Sequence, residues 1–147
     1  LPDPVQVGGP PIILGGHGPT RTPALAARFA SEFNQPFVGL ADYRAQRARV
    51  RAACEAIGRD PESLTHSAAL VVCCGTDDLE LAQRAAAIGR DLDELRTNGA
   101  AGSPAEVLDT IASYAEAGAE RLYLQLLDLR DLDHLRLIGD AVLPLVP

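Results

Sequence analysis

The order of apolar and amphipathic stretches predicts an α/β fold of about four parallel strands with flanking helices. Three observations carry that expectation. Four β–α units follow one another, an order that favours parallel pairing with right-handed crossovers. A glycine-rich run, Gly15-Gly16-His17-Gly18, joins the first strand to its helix. The last strand, within residues 120–127, puts leucines on one face and Tyr123 and Gln125 on the other. A four-stranded open sheet and half of a closed (β/α)8 barrel both satisfy this order. The polar tips of Tyr123 and Gln125 suit a barrel interior better than a helix-covered face.

After an irregular lead-in over residues 2–10, Ile12, Ile13 and Leu14 read as a short strand buried on both faces. Gly15, Gly16 and Gly18 then remove Cβ atoms, so the backbone can take positive φ and let an anion approach its amides. Thr22 is the expected N-cap of a helix reaching about Ala30, with Pro23 at the first helical position. Free amides and the positive end of the helix dipole make a phosphate seat there, with the charge of Arg21 beside it. The candidate cofactor-binding residues are therefore Gly15, Gly16, His17, Gly18, Arg21 and Thr22. An ordinary strand-to-helix turn, in which the glycines only relieve strain, fits the same residues equally well.

A second short strand, residues 32–37, is stopped by Pro36. A long helix follows over 42–57, with Asp42 as N-cap and Gly58 as its stop. Tyr43, Val50, Ala53, Cys54 and Ile57 share its inner face, while Arg44, Arg47, Arg49 and Arg51 read as a solvated face. The third strand, 64–74, ends in the continuous apolar run 68–74 and is closed by Gly75. Thr76 or Asp77 caps a helix over 78–88, and a further short helical stretch covers 92–96. Ser103-Pro104-Ala105-Glu106 is a capping box with Pro at the first position, followed by the stripe Val107, Ile111, Tyr114, Ala115 and Gly118. A final helix, 132–143, is expected to turn Leu135, Ile138 and Val142 inward.

With 147 residues, 47% of them hydrophobic, the chain can bury one core, so residues 1–147 are expected to form a single domain. Net charge is −7, all 13 basic residues are Arg, and aromatics are 4%, which argues against nucleic-acid binding. No apolar run approaches the ~20 residues of a membrane span, and the N-terminal residues lack signal-peptide character, so a cytoplasmic protein is expected. The absence of Met and the opening at Leu1 are expected of a chain that has lost its start through processing, trimming or partial sequencing. Cys54, Cys73 and Cys74 form neither a disulfide framework nor a metal-ligand pattern, and no metal site is expected. Without Lys, a P-loop is excluded. No Ser–His–Asp arrangement appears, and no catalytic residue is assigned. His17 is the best-placed polar side chain for a phosphate or ring contact; His66 reads as structural and His134 as solvent-facing.

The ordered set of motifs resembles the luciferase-like flavin and deazaflavin oxidoreductases. Pro11 to Gly16, then Arg21-Thr22, Leu25 to Ala30 and Phe33-Asn34, is similar to that family's P-I-I-V/L-G-G-G-G, R-T and L-x-L-A-A-R-Y/F-A-D-x-W-N. Ile57 to Leu64 resembles its A-x-G-R-D-P-x-x-I, Gly102 to Val107 its G-S/T-P-x-E-V, and Ala117 to Leu124 its A-G-V/A-x-x-V/I-x-L. The match runs through nearly the whole chain in the family's order. His17 stands where the family often has a third glycine, Pro23 replaces a common Leu, and Ser31-Glu32-Phe33 replaces the usual residues before Asn.

This resemblance implies the C-terminal half of a (β/α)8 TIM barrel, strands five to eight, in a fold of ~250 residues. It implies an oxidoreductase that uses coenzyme F420 for hydride transfer to a small organic substrate, this half supplying the cofactor phosphate-binding turn and being inactive alone. An FMN-dependent monooxygenase half-barrel is the first alternative. A non-catalytic half-barrel that self-associates is the second, because two raw sheet edges and an inner face need cover. The expected partners are accordingly a small-molecule substrate and either a second copy or an N-terminal half-barrel.

Overall fold

A computed structural model describes residues 3–146; Leu1 and Pro2, the first residue of the lead-in among them, lie outside the described residues, as does Pro147. The strands are β1 (Ile13–Gly15), β2 (Glu32–Pro36), β3 (Thr65–Cys74), β4 (Ala100–Gly102) and β5 (Arg121–Gln125). Between and after them run α1 (Arg21–Phe29), α2 (Leu40–Ala56), α3 (Asp78–Ala87), α4 (Leu92–Asn98), α5 (Pro104–Glu116) and α6 (Leu132–Ala141). All strand pairs are parallel: β1 with β2, β2 with β3, and β3 with both β4 and β5.

Strand β3 outruns its neighbours. On one edge β2 pairs with Thr65 to Ala69, and β4 takes over from Val72 to Cys74. Ala69 accepts from Phe37 N and Gly75 donates to Gly102 O, so odd-numbered residues of β3 address this edge. Phe37, at φ 55°, turns the chain out of the sheet and leaves that edge to β4. On the other edge, β5 pairs with Ser67 to Val71. Beyond it, side chains replace a strand: His134 Nε2 accepts from Cys74 N at 2.9 Å, and Arg84 Nη1 donates to Cys74 O at 2.6 Å. Arg84 also holds Asp131, the N-cap of α6, at 2.8 Å and Glu80 at 2.9 Å.

The two faces of the sheet differ. On one, Ala68, Leu70, Val72 and Cys74 pack against Tyr43, Val107, Ile111, Tyr114, Ile138 and Val142 from α2, α5, α6 and its end. Leu14 and Phe33 join α1 and the end of α2 through Ala26, Ala27, Val50 and Cys54. The opposite face is covered only at its C-terminal end, where Val71 and Cys73 meet Leu81, Ala85 and Leu95 of α3 and α4. Cover on both faces explains why β3 reads as an uninterrupted apolar run. Lower down, the open face is polar. Glu32 accepts from Ser67 Oγ at 2.6 Å, from Tyr123 Oη at 2.9 Å and from Arg121, while Asn34 donates to Ser67 Oγ at 3.0 Å.

Several local expectations are corrected. Strand β1 is not buried on both faces: Ile12 and Ile13 are 50% and 56% exposed, because β1 lies at the sheet edge and its open face has no cover. Thr20, not Thr22, is the N-cap of α1 and makes no side-chain bond; Pro23 then falls at the third helical position. Gly39 rather than Asp42 precedes α2, which starts two residues early, and Asp42 sits in its first turn. The Ala100–Gly102 segment, which has no strand pattern in the sequence, is a strand, since β3 still needs a partner there. His134 is buried, not solvent-facing, and Leu135 and Ala115 face outward. Ser103 forms the expected capping box, and Asp77 caps α3. Arg59 in the Gly58-Arg59-Asp60-Pro61 turn donates to the carbonyls of Ala26, Ala27 and Ala30, closing the C-terminal end of α1.

Burial holds the His66 imidazole at a pKa of about 4, with Arg47 and Arg51 adding to the effect, and burial also lowers that of His134. Above pH 6.5 both rings are neutral folded and unfolded. Below it the unfolded chain binds protons that the folded one refuses. Urea midpoints should therefore hold steady from pH 8 to 7 and fall progressively from about pH 6.5 towards pH 4. His134→Ala should cost about 1–3 kcal/mol, by leaving Cys74 N–H unpaired, and should flatten part of that pH slope.

Candidate cofactor site

The turn between β1 and α1 is positioned from below by the sheet and from behind by α2. Pairing of Gly15 with Asn34 fixes where the turn leaves the sheet. Gly16 adopts φ 143°, a conformation L side chains rarely take. The turn then folds back on the first helical residues. A Cβ on Gly18 would stand 2.7 Å from Thr22 Oγ1, and one on Gly16 3.3 Å from Thr22 Cγ2. From α2, Gln46 is buried and donates its Nε2 to Gly18 O at 2.9 Å, while Arg49 donates to Gln46 Oε1 at 2.9 Å.

The first hydrogen bond of α1 runs from Ala24 N to Thr20 O. The amides of Arg21 and Thr22 precede it, Pro23 has no amide hydrogen, and no acidic residue lies in the first turn. Two N–H groups and the positive helix end are therefore left without an internal anion, beside the exposed side chain of Arg21. The structure brings Gly16, Gly18 and Thr22 into contact range of one another, ends β1 at Gly15, and leaves Arg21 and His17 exposed at the rim.

His17 also lines a cavity of about 250 Å³ with Gln35, Val38, Asp42, Gln46 and Arg49. Gln35 is 1% exposed, and its Oε1 has no hydrogen-bond partner. The sequence reading missed these side chains. The available signal was a pair of glutamines, one ending a strand and one within an arginine-rich helix face. Tyr123 lies on the open face as expected, with its hydroxyl committed to Glu32.

The three cysteines are buried and unpaired, and burial raises their thiols, that of Cys74 to about 11, so no thiolate forms near neutrality. Among the described residues no cluster of His, Cys, Asp and Glu could hold a metal, and no helix is long and apolar enough to cross a membrane.

Residues 1–97 match the family model for luciferase-like monooxygenases. The chain belongs to the luciferase-like monooxygenase family. Comparison with curated protein sequences gives no match. Among solved structures, the fold is similar to a coenzyme F420-dependent tetrahydromethanopterin reductase from Methanopyrus kandleri, with TM-score 0.72 and 16% identity over 93% of this chain and 51% of that one. It is also similar to an F420-dependent secondary alcohol dehydrogenase in complex with an F420–acetone adduct, with TM-score 0.77 and 13% identity over 93% and 49% of the two chains. A third is a type II Baeyer–Villiger monooxygenase, the oxygenating constituent of 3,6-diketocamphane monooxygenase from the CAM plasmid of Pseudomonas putida, in complex with FMN. It gives TM-score 0.66 and 20% identity over 92% and 49%. The chain thus spans about half the length of these luciferase-like enzymes, and its parallel sheet with flanking helices is half of their (β/α)8 barrel.

Gly16→Ala should cost about 1–3 kcal/mol in urea unfolding, from the strained φ. Gly139→Ala, in α6 with open space around its Cα, should instead raise stability by about 0.5–1 kcal/mol.

Proposed function

We propose that this chain is the C-terminal half, strands five to eight, of a luciferase-like oxidoreductase that uses coenzyme F420 for hydride transfer to a small organic substrate. The observation that carries the proposal is the β1–α1 turn. Its strained Gly16, its tight approach of Gly18 to Thr22, and the uncapped amides of Arg21 and Thr22 fit a phosphate. Gly15, Gly16, His17, Gly18, Arg21 and Thr22 would hold that group. The cofactor supplies the hydride chemistry.

The chain's own residues bind and orient. Arg21 adds charge to the amide seat, and Gln46 braces the turn by holding Gly18 O. The α3–α4 pair covers the C-terminal end of β3 and excludes water from that side. Glu32, committed to Ser67, Tyr123 and Arg121, keeps the open face fixed. No residue here is assigned as a general acid or base, so the half alone is inactive and depends on an N-terminal half-barrel for the rest of the pocket. A cytoplasmic setting belongs to the same reading.

The FMN-bound relative favours a second reading, an FMN-dependent monooxygenase half using the same turn. Exposed Ile12 and Ile13 at the edge strand β1 favour a third, a self-associating half-barrel without catalysis. Titrating the ¹⁵N-labelled chain with F420 and, separately, with FMN distinguishes them. The proposal expects saturable shifts of the Gly16, Gly18, Arg21 and Thr22 amides, at lower concentration for F420 than for FMN. Tighter FMN binding supports the second reading. No shift at these amides, with a dimer mass by light scattering, supports the third.

A further inference from the structure

We propose that the phenyl ring of Phe37 is a contact for the flat ring of the bound cofactor, and that the chain accepts a strained backbone at this position to keep it there. This rests on the proposed function above and deepens it, since a phosphate seat alone does not select a ligand that carries a ring.

Among the described residues, Phe37 is the one non-glycine residue with positive φ, at 55°. Left-handed backbone is costly for a bulky side chain, whereas Gly takes it readily and Asn tolerates it. The turn by which the chain leaves the sheet at Phe37 needs that backbone but has no need of a phenyl ring. The ring is not used for packing either. It is 47% exposed and belongs to none of the apolar clusters, although Val38 beside it packs against the helix-side core and accepts from Tyr114 Oη. A strained residue whose side chain stabilises nothing internal is the pattern of a ligand contact.

Position supplies the ligand. Gly15 lies beside Asn34 in the parallel β1–β2 pair, so the phosphate-binding turn and Phe37 follow the C-terminal ends of adjacent strands. From the level of Gly15, Phe37 is about 10 Å further along the strand direction and one strand spacing of about 4.8 Å across. A ribityl chain joins phosphate to ring in both F420 and FMN, and it bridges a gap of this order. Phe37 N donates to Ala69 O at 2.8 Å, so the backbone that carries the phenyl ring is pinned to the sheet before any ligand arrives. An aromatic side chain on such a mount offers a flat apolar surface to a flat ring, with little freedom left to lose on binding.

The test compares the wild-type chain with Phe37→Asn and Phe37→Tyr. Each is titrated by amide shifts with F420, with FMN and with ribose 5-phosphate, which has the phosphate but no flat ring, and each is melted without ligand. Phe37→Asn keeps the left-handed backbone and removes the phenyl ring, so it should melt at or above the wild-type temperature. It should nevertheless bind both ring-bearing ligands about five-fold more weakly, while ribose 5-phosphate changes by less than about two-fold. Phe37→Tyr keeps the flat surface and should bind all three as wild type does. A clearly lower melting temperature for Phe37→Asn, or its failure to fold, would make the ring a packing residue and overturn the proposal. Equal losses for all three ligands, no loss with any, or a loss in Phe37→Tyr equal to that in Phe37→Asn would overturn it too. In those cases wild-type shifts of the Gly16, Gly18, Arg21 and Thr22 amides with F420 leave the proposed function standing, and only the ring contact falls. Failure of the wild-type chain to bind any of the three would sink both.

Discussion

Strand β3 is longer than any strand beside it, and the molecule is arranged around finding partners for its full length. Ten residues of backbone, buried on both faces towards their C-terminal end, cannot be left without hydrogen bonds in an apolar interior. On one edge β2 leaves at Phe37, and the three-residue β4 is brought in to continue. On the other, β5 stops opposite Val71, and His134 and Arg84 close the last peptide. The helix order follows from this need. The α3–α4 pair must cross the end of β3 to deliver both Arg84 and β4, and α6 must start beside it so that His134 reaches Cys74.

The same arrangement decides which face can bind anything. Helices cover one face, α3 and α4 close the C-terminal end of the other, and the remaining area carries the Glu32 network. At the start of α1, the amides of Arg21 and Thr22 have no internal acceptor. Gln46 and Arg49 then make the turn after β1 part of α2, so its geometry is set by the core and not by the loop alone.

Much of this was legible in the residues. Apolar runs and glycine punctuation located four strands, and the Ser103 cap marked one helix start to the residue, while the α3 start was narrowed to Thr76 or Asp77 and is Asp77. What escaped was tertiary. Ala100-Ala101-Gly102 has no strand pattern of its own and is a strand only because β3 needs a partner. His134 sits on a polar-looking helix start, and nothing local says that a strand end sixty residues earlier lacks an acceptor. Ile12 and Ile13 look like core because no polar residue interrupts their run, but β1 lies at the sheet edge with one neighbour and they stay exposed. In the candidate site, Gly16 and Gly18 were readable from the glycine run, whereas Thr22 was read as the N-cap, a position that Thr20 takes. Gln35 and Gln46 were not readable, since a glutamine's role depends on which cavity its backbone aims it into.

The central claim is that a cofactor phosphate sits on the amides that follow β1. A crystal structure of the complete polypeptide with F420 bound tests it most directly. The account predicts phosphate oxygens within hydrogen-bonding distance of the Gly16–Thr22 backbone and of Arg21, with the deazaflavin ring over the open face. Cofactor density whose phosphate lies away from this turn, for example against the arginines of α2, would contradict it.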